Sequence, residues 1–234
     1  MYLRPESGVL AALRECTHRE KKLLVECGTL ALTSIMKVAD ACKALDNVVF
    51  IDAPISGGPM GSAAGTLSFM VGTTPELFDT TKSNLLAHMG DWDKIFHCGD
   101  VGAGTAFKII NNYISLVSVL SVSEAYNIAQ RLGLNIPVLT NLFNSGSAQC
   151  WVTSKNNPVP GIHPDAPASH DYQGGFRIEL AEKVLALGGD LGASVGASTV
   201  LDKATLGVLR EVAEDPRYAG KDARVVYQYL VEKK

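Results

Sequence analysis

Beyond residue 98 the hydrophobic pattern of this chain changes and does not change back. Upstream, short apolar runs alternate with stretches of helical spacing. Downstream no strand-like run appears, and residues 103–132 form one long, mostly apolar segment. A chain patterned this way is α/β first and all-α second. The boundary falls at 101/102, giving one domain over residues 1–101 and another over 102–234. Strands are expected at 22–27, 48–52, 66–72 and 94–98, with helices at 33–45, capped by Thr33 or Ser34, and at 75–89. Strand–helix alternation predicts a parallel sheet, with a Gly/Pro-rich loop between the second and third strands. Residues 5–20 carry a weaker helical pattern.

The second half opens with a helix that is apolar nearly all round over 103–132, ended by Gly133. Such a helix is expected to be buried against another domain or another subunit. Helices follow at 136–144, 176–187, 196–213 and 221–231, with an irregular, proline-rich loop over 156–172. The 47% hydrophobic and 19% charged content can fill a sizeable core. A net charge of −3 argues against nucleic acid as a partner. Five scattered cysteines without a CxxC pair are expected to be reduced thiols in an intracellular protein. Polar breaks interrupt every long apolar run, so no membrane span is expected, and MYLRPESG has neither a secretory core nor a transit-peptide composition.

Two stretches carry chemistry. In VGAGTAFKIINN, residues 101–112, Lys108 stands among Phe107, Ile109 and Ile110, and Asn112 follows one helical turn later on the same face. A lysine at the edge of a buried region loses hydration, and its lowered pKa makes it usable as an acid or base. Spacing alone fits a solvated surface lysine as well. The second stretch, DAPISGGPMGSAAGTL, begins at Asp52 after a strand, at the sheet end where α/β folds bind ligands. The Ser56 hydroxyl and the unobstructed amides of Gly57 and Gly58 could hold a carboxylate, although a ligand-free turn has the same composition. The pair Gly102-Ala103-Gly104, with Glu124 twenty residues on, imitates a dinucleotide fingerprint. Phe107 occupies the third glycine position and more helix follows, so it is not read as a pyrophosphate site.

Taken together, DAPISGG, CGDVGAGTAFKIINN, CW at Cys150–Trp151, NPVPG from Asn157 and YQGGF from Tyr172 resemble the 3-hydroxyisobutyrate dehydrogenase family. That family belongs to the β-hydroxyacid dehydrogenases, related to 6-phosphogluconate dehydrogenase. The resemblance runs from about Leu23 to the C-terminus. It implies a Rossmann-type NAD-binding domain followed by an all-helical domain. It also implies oxidation of 3-hydroxyisobutyrate to methylmalonate semialdehyde in valine catabolism, in the mitochondrial matrix, by a homo-oligomer. By position, Lys108 is then the acid/base and Asn112 orients the substrate. Ser56, Gly57 and Gly58 bind the substrate carboxylate, while Thr29 and Lys183 contact NAD. No metal is implied, and the five histidines show no ligand spacing.

The chain departs from the family at three places. Glu26-Cys27-Gly28-Thr29 stands where the family has Asp-Ser-Ser-Thr, and Val184 replaces an acid after the cofactor lysine. The family's opening strand and GxGxxG are not in the sequence. A partial sheet, weak NAD binding and little or no dehydrogenase activity of residues 1–234 alone are therefore expected. The alternative is a non-catalytic remnant serving as a folding or dimerisation module, or a relative acting on another short hydroxyacid.

Overall fold

The computed structural model describes residues 8, 9 and 21–233 and divides into two compact units, Met1–Ile110 and Asn111–Lys234. Among the described residues the first contains five strands. Strand β1 (Lys22–Glu26) runs parallel to β2 (Val48–Asp52), joined through helix α1 (Leu32–Lys43). Ile35, Val38, Ala39 and Cys42 recur at helical spacing and bury one face of α1 against Val48 and Phe50. The cap is Ala31 rather than Thr33 or Ser34: the extended backbone at Ala31 offers its carbonyl to the amides of Ser34 and Ile35, and no side-chain bond is made. A start at Leu32 places both hydroxyl residues inside the helix. The helical pattern expected over 5–20 lies outside the described residues, apart from Gly8 and Val9, which are helical.

The connection after β2 is ordered rather than a plain loop. It holds β3 (Ile55–Ser56) and the short helix α2 (Gly58–Ala64), followed by β4 (Leu67–Gly72). Asp52 opposes Gly72, Ile55 opposes Phe69 and Ser56 opposes Ser68, while Met70 donates to the Pro54 carbonyl. These pairs share one antiparallel register, so β2 and β3 act as a single strand interrupted at Ala53-Pro54. The expected all-parallel sheet is therefore mixed. The chain between Ser56 and Leu67 turns back through α2 and Gly65, in the left-handed region, and lays β4 beside the strand it left. Parallel pairing returns between β4 and β5 (Gly90–Gly99) through helix α3 (Pro75–Asn84), capped by the Thr74 hydroxyl. β5 has ten residues, twice the run legible in the sequence. Ile51, Phe69, Val71, Leu86 and Ile95 fill the core of this unit.

Helix α4 (Ala103–Arg131) crosses from one unit into the other. In the helical unit it is joined by α5 (Ile136–Ser145), α6 (Trp151–Ser154), α7 (Ile178–Ser194), α8 (Leu201–Glu214) and α9 (Val226–Glu232). α7 continues well past residue 187, because Gly188, Gly189 and Gly192 are helical and let Tyr113, Asp202 and Thr199 pack close. Leu116 and Leu120 of α4 enter a core with Leu185, Leu209 and Val225, and Val119 and Tyr126 enter a second with Val152 and Tyr227.

Within this single chain α4 is not covered all round, and the expected burial against another subunit is not tested by it. Phe107, Ile110 and Ile114 are 56%, 61% and 66% exposed and form a stripe at i, i+3 and i+7. A single helix can turn only part of its circumference to its own core, and this stripe lies outside that part. By length and composition alone α4 could also cross a bilayer, yet Leu116, Val119, Leu120 and Tyr126 belong to the cores of the helical unit.

Candidate active site

The site begins with Asp52, the last residue of β2. Its side chain is fully buried, and both carboxylate oxygens accept backbone hydrogen bonds from the start of α4. Gly102 N–H donates to Oδ1 and Thr105 N–H to Oδ2, each at 2.7 Å. The first amides of a helix lack intrahelical acceptors and carry the positive end of its dipole, which a carboxylate satisfies on both counts. Two glycines make room. A Cβ on Gly72 would lie 2.2 Å from Asp52 Oδ1, and one on Gly104 would lie 2.1 Å from the Met70 carbonyl oxygen. The Gly102-Ala103-Gly104 pair therefore docks the helix on the sheet. Gly102, at φ +98°, gives its amide to Asp52 rather than to a phosphate.

One turn further along α4 lies Lys108, only 8% exposed. No hydrogen bond or ion pair to its ammonium group is formed among the described residues, and burial pulls its pKa from the ordinary lysine value of 10.5 down to about 8. The desolvated lysine expected from the sequence thus has its physical basis in this chain. Asn112, one turn on, is half-buried and belongs to the helical unit. Ser56 ends β3 half-buried, and Gly57 and Gly58 follow it, exposed, at φ +133° and +61°.

Thr29 lies in the turn after β1, at the same end of the parallel β1/β2 pair as Asp52. The turn is held by Glu26, whose buried carboxylate accepts from Gly28 N–H at 2.7 Å. Burial raises the Glu26 pKa. The Cys27 thiol is pushed up to about 11, first by burial and then by Glu26, so it is no nucleophile near neutral pH. Lys183 is exposed on α7 and Val184 beside it is buried in that helix's packing face. Among the described residues no group of three His, Cys, Asp or Glu side chains could hold a metal.

The structure thus groups Thr29, Ser56, Gly57, Gly58 and Lys108 in the first unit and carries Asn112 and Lys183 on helices of the second. Sequence reasoning passed over Asp52, Gly72 and the docking role of Gly104. Their partners lie 50 and 53 residues away in Asp52's case, and no local spacing signals such a contact.

Two family models match. Residues 102–230 match the model described as the NAD-binding domain of NADP-dependent 3-hydroxyisobutyrate dehydrogenase, and residues 2–99 match the NAD-binding domain of 6-phosphogluconate dehydrogenase. The chain belongs to the 3-hydroxyisobutyrate dehydrogenase family. The match begins at residue 2, upstream of Leu23, where the legible motifs begin. A probable mitochondrial 3-hydroxyisobutyrate dehydrogenase of Dictyostelium discoideum is 37% identical over 96% of this chain and 67% of its own length. The mitochondrial enzyme of Drosophila melanogaster is 40% identical over 79% and 56%. Among solved structures, the Mycobacterium tuberculosis 3-hydroxyisobutyrate dehydrogenase with L-serine superposes with a TM-score of 0.84. It is 32% identical, with 94% of this chain and 76% of that chain covered. The chain thus spans between about half and two thirds of the length of these two curated relatives.

The narrower motifs of the family build the helical unit. Asn157 of NPVPG, fully buried, donates from Nδ2 to the Tyr126 hydroxyl at 2.8 Å, and the Tyr172 hydroxyl of YQGGF donates to the Pro158 carbonyl at 2.9 Å. The Tyr172 pKa is raised, chiefly by burial, which keeps that hydroxyl protonated as a donor.

Proposed function

We propose that this chain acts in an NAD-dependent oxidoreductase that oxidises 3-hydroxyisobutyrate to methylmalonate semialdehyde, with Lys108 as acid/base. The observation that carries the reading is the burial of the Lys108 side chain with no hydrogen-bond or ionic partner among the described residues, a setting that lowers its pKa to about 8. Oxidation of a primary alcohol removes a proton from oxygen and a hydride from carbon. NAD, when bound, supplies the hydride acceptor. Neutral Lys108 accepts the hydroxyl proton; in the reverse direction its ammonium returns that proton and stabilises the developing alkoxide.

The remaining residues position the reactants. The amides of Gly57 and Gly58, with the Ser56 hydroxyl, bind the substrate carboxylate, and Asn112 holds the substrate beside Lys108. Thr29, in the turn fixed by Glu26, meets the nicotinamide end of the cofactor, and Lys183 contacts the cofactor from α7. The Thr29 turn suits this role because it lies at the carboxyl end of the β1/β2 pair, where α/β sheets bind nucleotides. The domains divide at 101/102, with the Rossmann-type domain that carries Thr29 and the Ser56–Gly58 turn before it and the helical domain that carries Lys108, Asn112 and Lys183 after it. The exposed stripe of Phe107, Ile110 and Ile114 supports a homo-oligomer. The names of the Dictyostelium and Drosophila relatives support a mitochondrial location.

The test is NADH formation by the purified chain with 3-hydroxyisobutyrate, its amide and a simple primary alcohol. Turnover of the acid alone supports the assignment. Equal turnover of the amide removes the carboxylate site, and no turnover of any of the three by a version of the chain supplied with a GxGxxG strand–helix unit contradicts the function.

A further inference from the structure

We infer that Asp52 is a positioning residue for the reaction: its carboxylate fixes the start of α4 on the ends of β2 and β4, and so sets where Lys108 stands relative to the Ser56, Gly57 and Gly58 turn. The inference rests on Lys108 being the acid/base.

Asp52 stands at a junction. It ends β2, four residues before Ser56 along the same extended strand, and it is opposite Gly72 at the end of β4. Its two oxygens bind the amides of Gly102 and Thr105, so a single side chain links the substrate-side turn and the lysine-bearing helix. Lys108 is the third residue after Thr105, less than one turn away, and a helix transmits a shift of its first turn rigidly over that distance. Gly72 and Gly104 leave no slack: the backbone of α4 meets the Met70 carbonyl with no space for a methyl group, and the Asp52 carboxylate fills the space where a Gly72 side chain would begin. Both oxygens are committed to N–H donors. An amide in place of the carboxylate would turn an NH2 group toward one of them, replacing a charge-assisted bond by a clash of donors. α4 would then lift from the sheet end and water would reach Lys108.

The experiment is a titration of Lys108 in the full chain and in Asp52→Asn, by NMR of 13C-dimethylated lysines with the Lys108 signal assigned from Lys108→Arg. In the unmodified chain the midpoint is expected near 8. In folded Asp52→Asn it is expected to rise by about one unit or more toward the ordinary lysine value, as hydration returns. A purely structural loss of stability, with the joint intact in the folded fraction, would leave the midpoint where it was. An unmoved midpoint in folded Asp52→Asn overturns the positioning role and leaves the function untouched. A midpoint near 10.5 in the unmodified chain overturns the acid/base reading itself. If Asp52→Asn does not fold, hydrogen exchange in the unmodified chain decides. The Gly102 and Thr105 amides should be protected as strongly as those of β4, and exchange at the rate of exposed loop amides overturns the inference.

Discussion

The carboxylate of Asp222 accepts a hydrogen bond from the Phe176 amide at 2.7 Å, across 46 residues of chain. The same carboxylate pairs with the guanidinium of Arg224 at 2.8 Å, accepts from the Arg224 amide, and occupies the space beside Gly175 that a side chain would need. Gly175 sits at φ +66°, and a Cβ there would lie 2.2 Å from Asp222 Oδ2. The YQGGF motif is thus a backbone solution to packing around one buried ion pair. Asp222→Ala would leave Arg224 charged and buried and should cost about 3–5 kcal/mol. Gly175→Ala should cost about 2 kcal/mol or more, from the left-handed backbone and the displaced carboxylate. Urea denaturation followed by far-UV circular dichroism measures both. A loss below about 1 kcal/mol in either variant would mean that the pair behaves as a solvated surface pair.

Burial of Lys108 makes a stability prediction independent of any activity. Its folded pKa, about 8, lies below the unfolded value of 10.5. Below pH 8 both states carry the charge, and the folded state bears its desolvation. Between pH 8 and 10.5 the unfolded chain binds more protons, so this term favours folding increasingly as pH rises. Lys108→Met keeps the stem's volume without the charge. It should therefore be more stable than the parent at pH 7, by about 2–3 kcal/mol, with the advantage shrinking toward pH 10.5. Denaturation curves at pH 7, 9 and 10.5 test the sign. An advantage that is constant with pH, or absent at pH 7, contradicts a desolvated lysine.

The turn after β3 should govern recognition of the acid group. Gly57 adopts φ +133°, a conformation that side chains avoid, and a Cβ there would stand 3.1 Å from Leu67 Cδ2. Gly57→Val should raise KM for 3-hydroxyisobutyrate by about tenfold or more while changing KM for NAD little, because the lost interaction is with the carboxylate. Steady-state kinetics with both substrates varied gives the comparison. A variant that still prefers the acid over its amide as strongly as the parent does removes the carboxylate role from this turn.

Much of this architecture was legible in the sequence. β1, β2, β4 and α4 follow from apolar runs and helical spacing alone, since each buries a face against its own unit. Lys108 stood out for the same reason, as one charge among apolar neighbours. What was not legible depends on distant partners. β3 is held by pairing with β4, and the antiparallel register of Asp52 with Gly72 cannot be seen from either strand. The run 103–132 shows apolar residues on every side, but not which of them the remaining helices leave uncovered, as with Ile110 and Ile114. The Asp52 clamp was hidden because an acid at the end of a strand carries no mark of the helix start it satisfies.

Whether Lys108 moves the proton is decided by the pH dependence of kcat for 3-hydroxyisobutyrate oxidation in a version of the protein that includes a GxGxxG strand–helix unit, as parent and as Lys108→Ala. With Lys108 as base, the parent's rate should rise with pH and level off above about 8 as the ammonium loses its proton. Lys108→Ala should lower kcat by about two to four orders of magnitude, lose that limb, and leave NAD affinity nearly unchanged. Near-parental turnover in Lys108→Ala, with the same limb still present, would show that another group moves the proton.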